Sequence, residues 1–147
     1  MILHTASEII SLARELEKSS AEYYKILSQK FTDDQAVFIA FSEENRKNVI
    51  HVERTYYGVI SDALEGGFAF NLEADYYGLA TKLAENAVYS EALDNAIKNE
   101  TIIAKFYSDA AEQSQSLMAD IPRVFKLLAR KRDERKLKLE SLLKEKG

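Results

Sequence analysis

Four segments of this chain repeat apolar residues with a period near 3.6, and each apolar seam is broken at comparable depth by polar side chains. The first seam reads Ile9, Leu12/Ala13, Leu16, Ser20, Tyr23/Tyr24, Leu27 and Phe31, interrupted by Glu17. The second reads Val37/Phe38, Phe41, Val49 and Val52, interrupted by Asn45 and Asn48. The third runs through Leu93, Ala96/Ile97, Ile103/Ala104, Tyr107 and Ala111 and is broken by Glu100. The fourth has Phe125, Leu128, Leu139 and Leu142, broken by Arg132 and Arg135. Helices with one apolar stripe bury it against each other, so the spacing predicts an all-α chain, a single domain over 1–147, with a polar layer crossing its core.

Local signals set the boundaries. Thr5 with Glu8 reads as a capping box opening a helix over about 6–30, and Thr32 with Gln35 as a second one opening the next helix. That second helix is expected to end near Leu64, because Gly66-Gly67 is a strong stop. Residues 68–88 are too long for a tight turn and read as a crossover carrying a short helix around 72–84. The third helix is predicted to start near Ser90, and the fourth to run from about 121 to 145 behind an N-cap at Asp120 with Pro122 in the first turn. Two helical hairpins joined by a long connection result.

The hairpins also resemble each other. Glu17 precedes Tyr23-Tyr24 as Glu100 precedes Phe106-Tyr107, and Val37-Phe38 precedes Asn45 as Val124-Phe125 precedes Arg132. Such self-similarity suggests a duplicated hairpin related by a pseudo-twofold.

Composition removes several function classes. The 147 residues include no cysteine, which excludes thiol catalysis, thiolate metal sites and disulfides. No Gly-rich phosphate loop or nucleophile elbow is present. No apolar run reaches the roughly 18 residues of a membrane span, and MILHTASEII has no signal-peptide character, so a soluble cytoplasmic protein is expected. Net charge is −4 but uneven: residues 122–147 hold ten Lys/Arg against four Asp/Glu. A basic helix can serve nucleic acid; packing among acidic neighbours is the favoured reading here, so a nucleic-acid partner is not expected.

The interrupted seams resemble the ferritin-like, rubrerythrin-related di-iron carboxylate proteins over nearly the whole chain. The family's E-x-x-A-x-x-[FY]-Y is similar to ELEKSSAEYY around Glu17 and KNETIIAKFY around Glu100, with the alanine displaced in both. Its F-x-x-L-A followed by E-x-x-H is similar to FIAFSEENRKN and FKLLARKRDER. The resemblance implies a ferritin-like antiparallel four-helix bundle with a long crossover between helices 2 and 3, and a homodimer. Position by position, however, the two E-x-x-H pairs become Asn45-x-x-Asn48 and Arg132-x-x-Arg135, leaving Glu17 and Glu100 alone. Guanidinium has no lone pair for a metal, and the two histidines, His4 and His51, cannot replace both missing ones.

A degenerate site is therefore expected, with no metal and no catalytic residue. Arg132 and Arg135 would balance Glu17 and Glu100 in a neutral network, with Asn45 and Asn48 bridging leftover donors and acceptors. Tyr24 and Tyr107, seven residues after the glutamates, would be core aromatics whose hydroxyls reach polar partners. The alternative is an iron oxidoreductase with a displaced site built from Glu17, Glu100, His51 and Glu44. The doublets Tyr56-Tyr57 and Tyr76-Tyr77 are expected to pack the crossover or an interface between copies.

Overall fold

The computed structural model describes residues 1–59, 69–117 and 119–146, and these are predominantly helical. Four long helices appear among them: α1 (Ala6–Lys30), α2 (Gln35–Val59), α3 (Tyr89–Gln113) and α4 (Asp120–Lys146). The expected end of the second helix near Leu64 lies outside the described residues.

The Thr5 and Glu8 box forms reciprocally and fixes the start of α1. The second box does not form. Thr32–Asp34 makes a 3-10 turn instead, and Gln35 donates its side-chain amide to the Ser28 carbonyl, closing the last turn of α1. Asp120 is likewise not outside the last helix as a cap: it sits in the first turn of α4 and accepts from Arg123 at 3.2 Å.

Hydrogen bonds fix how the helices run. Asn45 meets Ser20, Asn48 meets Glu17 and Arg14 meets Glu53, so α1 and α2 are antiparallel. Tyr24 reaches Glu100 and Tyr107 reaches Glu17, so α1 and α3 are antiparallel too. Asp34 near the start of α2 pairs with Lys146 at the end of α4, while Asn45 pairs with Arg135. Helices α2 and α3 therefore point the same way, and their connection must travel the length of a helix, about 37 Å for 25 residues.

The described part of that connection contains no α-helix around 72–84. Leu72–Glu73 forms strand β2, pairing antiparallel with β1 (Ile2–Leu3), and a 3-10 turn follows at Ala74–Tyr77. Farther on, Asn99 grips the Ala80 backbone with both amide atoms, and Lys30 donates to the Ala84 and Glu85 carbonyls. Extended backbone wins here because α3, through Asn99, and α1, through Lys30, supply side-chain partners for peptide groups that a helix would have paired internally. Of the tyrosine doublets, Tyr56 and Tyr77 are buried, the latter against Phe106, while Tyr57 and Tyr76 are exposed.

The apolar interior falls into two clusters. One gathers Ile9, Leu16, Phe70, Ile103, Phe125 and Leu128; the other gathers Tyr24, Leu27, Phe38, Leu93, Ala96 and Leu139. Each fully buried large apolar side chain is worth about 2 kcal/mol relative to exposure. The polar residues lie between the two clusters, midway along every helix.

Candidate functional site

The six residues that interrupt the seams meet in one buried layer. Glu17, Asn45, Asn48, Glu100, Arg132 and Arg135 are each at most 3% exposed. Each comes from mid-helix because the apolar repeat around it holds its face inward; burial of the neighbours carries the polar group with it.

Arg132 sits between the two acids. One terminal nitrogen donates to both oxygens of Glu100, at 2.7 and 2.9 Å, and also lies 3.2 Å from Ser20 Oγ. The other donates to Glu17 Oε2. Arg135 occupies the α2 side: it donates to Asn45 Oδ1 at 2.7 Å, to Glu44 at 3.0 Å and to the Phe41 carbonyl at 3.3 Å. Its guanidinium also lies over the rings of Phe41 and Tyr24, 4.7 and 5.3 Å from their centroids, where the ring faces attract a cation. The charges of Glu17 and Glu100 against Arg132 and Arg135 cancel, with the part-exposed Glu44 as an extra counter-ion at the rim.

The tyrosines cross over. Tyr24 from the first hairpin donates to Glu100 of the second at 2.8 Å, and Tyr107 from the second donates to Glu17 of the first at 2.7 Å. Tyr24 stacks on Phe38 and Tyr107 on Phe125, both with centroids 6.2 Å apart. The sequence repeat thus reappears as a repeat of contacts. It is broken where Ser20 accepts from Asn45 and Arg132, since the matching position three residues after Glu100 is the apolar Ile103.

Burial is the largest influence on Glu17, Arg132, Tyr24 and Tyr107. It raises the Glu17 carboxyl above the usual range, with Arg132 and the Tyr107 hydroxyl pulling the other way. Burial also opposes charge on Arg132, yet there the attraction of Glu100 and Glu17 wins and its pKa rises. Every bond to Glu17 brings a hydrogen, from Arg132, Tyr107 and Asn48, which suits its ionised form. The asparagines bridge donors and acceptors as expected, yet satisfaction is incomplete. Asn48 Oδ1, Arg132 Nε and Arg135 Nε are buried without a hydrogen-bond partner; Arg135 Nε faces Glu100 Oε1 at 3.8 Å.

Tyr24 and Tyr107 are pushed well above the ordinary phenol pKa, first by burial and then by the neighbouring carboxylate. A raised folded-state pKa contributes stability that is complete below the unfolded value, about 10 for tyrosine, and is lost as pH rises beyond it. Alkaline titration should therefore show part of the phenolate absorbance appearing only together with loss of helical circular dichroism. Full phenolate formation in a chain that keeps its helicity would mean that these hydroxyls are solvated.

The displaced metal site does not assemble. His51 is exposed and faces a cleft between α2 and α4, and Glu44 is committed to Arg135. Among the described residues, no three of His, Cys, Asp or Glu come together as a metal would require. The donor set does not fit iron, and Arg132 fills the position between the carboxylates.

Ser20 and Phe41 were not singled out for the layer from sequence. Ser20 could have been, since it lies on the same face one turn after Glu17. The carbonyl and ring of Phe41 leave no sequence signal beyond an apolar residue near Asn45. No family model, curated protein or solved structure matches this chain.

Proposed function

We propose that this protein is a ferritin-like, rubrerythrin-related four-helix bundle in which an arginine–glutamate network replaces the di-iron site, and that it serves as a non-catalytic structural or binding protein. One observation carries the reading: a buried guanidinium joins the two acids, Glu17 and Glu100, that the family pattern would assign to metal. Two buried carboxylates need a cation, and Arg132 supplies one that has no electrons to exchange and no site for oxygen. The antiparallel hairpins, the long crossover and the crossed tyrosines support the same reading. Homodimer formation belongs to the proposal through the family resemblance, and a cytoplasmic location through the sequence reading alone. No helix among the described residues is long and apolar enough to cross a membrane.

Metal analysis of protein purified without chelator tests the proposal. Iron and manganese are expected to be far below stoichiometric, and Glu17→Ala should leave that content unchanged. Stoichiometric iron or manganese that disappears in Glu17→Ala would reject the reading.

A further inference from the structure

We infer that the cleft between α2 and α4 binds an oxyanion group, phosphate or carboxylate, carried by a small molecule with an apolar body. The cleft has a volume of about 460 Å3; α2 contributes His51, Arg54 and Thr55, and α4 contributes Asp120, Arg123, Val124 and Leu127. It lies away from the polar layer, so it stands or falls independently of the proposed function.

Charge points to the ligand class. Two guanidiniums and an imidazole line the space against a single carboxylate, and the two guanidiniums come from facing helices. Arg54 has no ion pair among the described residues, and the Arg123 pair with Asp120 is solvent-exposed at both ends and easily exchanged. Two planar forks, one from each of the two helices that line the cleft, suit an anion with several oxygens. The surroundings reinforce this: Lys126, Arg130, Lys131, Lys136 and Lys144 of α4 also lack ion pairs with described residues, so the helix is only partly neutralised within the fold. Its basic character is therefore not explained by internal packing alone.

The floor points to the rest of the molecule. Val124 is buried, and beneath it Ile10, Tyr56 and Phe125 close the apolar core, leaving a space of only about 10 Å3. Val124 and Leu127 give the cleft an apolar base beneath a cationic rim. Ligand sites commonly combine these two features.

The test is titration of the full chain with inorganic phosphate, phenyl phosphate and benzoate, followed by NMR chemical shifts. Saturable shifts centred on the cleft are expected, with phenyl phosphate binding more tightly than inorganic phosphate. Arg54→Gln and Arg123→Gln should each weaken phenyl phosphate by about tenfold, while the exposed Arg130→Gln on the same helix leaves it unchanged. The relative affinity of benzoate identifies which oxyanion is preferred, and either order supports the site. Absence of saturation by about 10 mM for all three ligands would overturn it. So would equal weakening in Arg130→Gln, which would mean diffuse surface charge, or salt-sensitive binding of single-stranded DNA without saturable phenyl phosphate, which would mean a nucleic-acid surface.

Discussion

Arg132→Met is expected to lower the free energy of unfolding by about 4 kcal/mol at neutral pH. The side chain is fully buried, and methionine replaces its aliphatic stem but ends near the Nε position, so the loss combines the missing charge with the space that the guanidinium filled. Without the guanidinium, Glu17 and Glu100 face one another across the layer, and the remaining cation, Arg135, is paired with Glu44 and lies 3.8 Å from Glu100. Two carboxylates sharing a dry site cannot both stay ionised cheaply, so the folded-state pKa of the pair rises. A raised carboxyl pKa makes the folded state bind protons more readily than the unfolded one, and the variant should therefore recover part of its deficit as pH falls toward about 5. Urea unfolding at both pH values, with chelator present so that no cation fills the gap, measures this. A loss below about 1 kcal/mol, or one that deepens on acidification, would mean that the acids are not held together by Arg132.

Glu100→Gln is expected to cost about 3 kcal/mol. The substitution keeps shape and an acceptor oxygen for Tyr24, so neither packing nor that hydrogen bond accounts for the cost. What disappears is the charge that takes both oxygens to Arg132 and also faces Arg135. The layer is left with an excess positive charge in an interior that cannot solvate it. Equilibrium denaturation reads the difference; a change within about 0.5 kcal/mol, typical of surface sites, would place Glu100 in contact with water.

The long-range plan was legible because a helix face leaves a periodic record. The seams around Leu16, Phe38, Leu93 and Leu128 located the four helices, and the polar interruptions located the six charged and amide side chains of one layer. The Thr5 and Glu8 box was also readable, since both halves of its chemistry lie within one turn. The Thr32 and Gln35 box was not, because Gln35 had a second acceptor in Ser28 that only the folded chain brings near. Of the short helix expected in the crossover only the 3-10 turn at Ala74–Tyr77 forms, for a related reason: the strand pairing beside it depends on residues about seventy positions away, at Ile2 and Leu3, and further anchors include Asn99 and Lys30. Within the layer, carboxylate and guanidinium partners could be matched by charge. Hydroxyl and carbonyl partners such as Ser20 and Phe41 could not. His51 shows the limit of spacing alone, since one turn beyond Asn48 already rotates it to the cleft.

The most direct measurement is the double-mutant cycle that combines Arg132→Met with Glu100→Gln, read by urea unfolding. If the guanidinium holds the acids in place of a metal, the double variant should be at least about 2 kcal/mol more stable than the sum of the two single losses predicts. Losses that add to within about 0.5 kcal/mol would show two independent side chains and contradict the account.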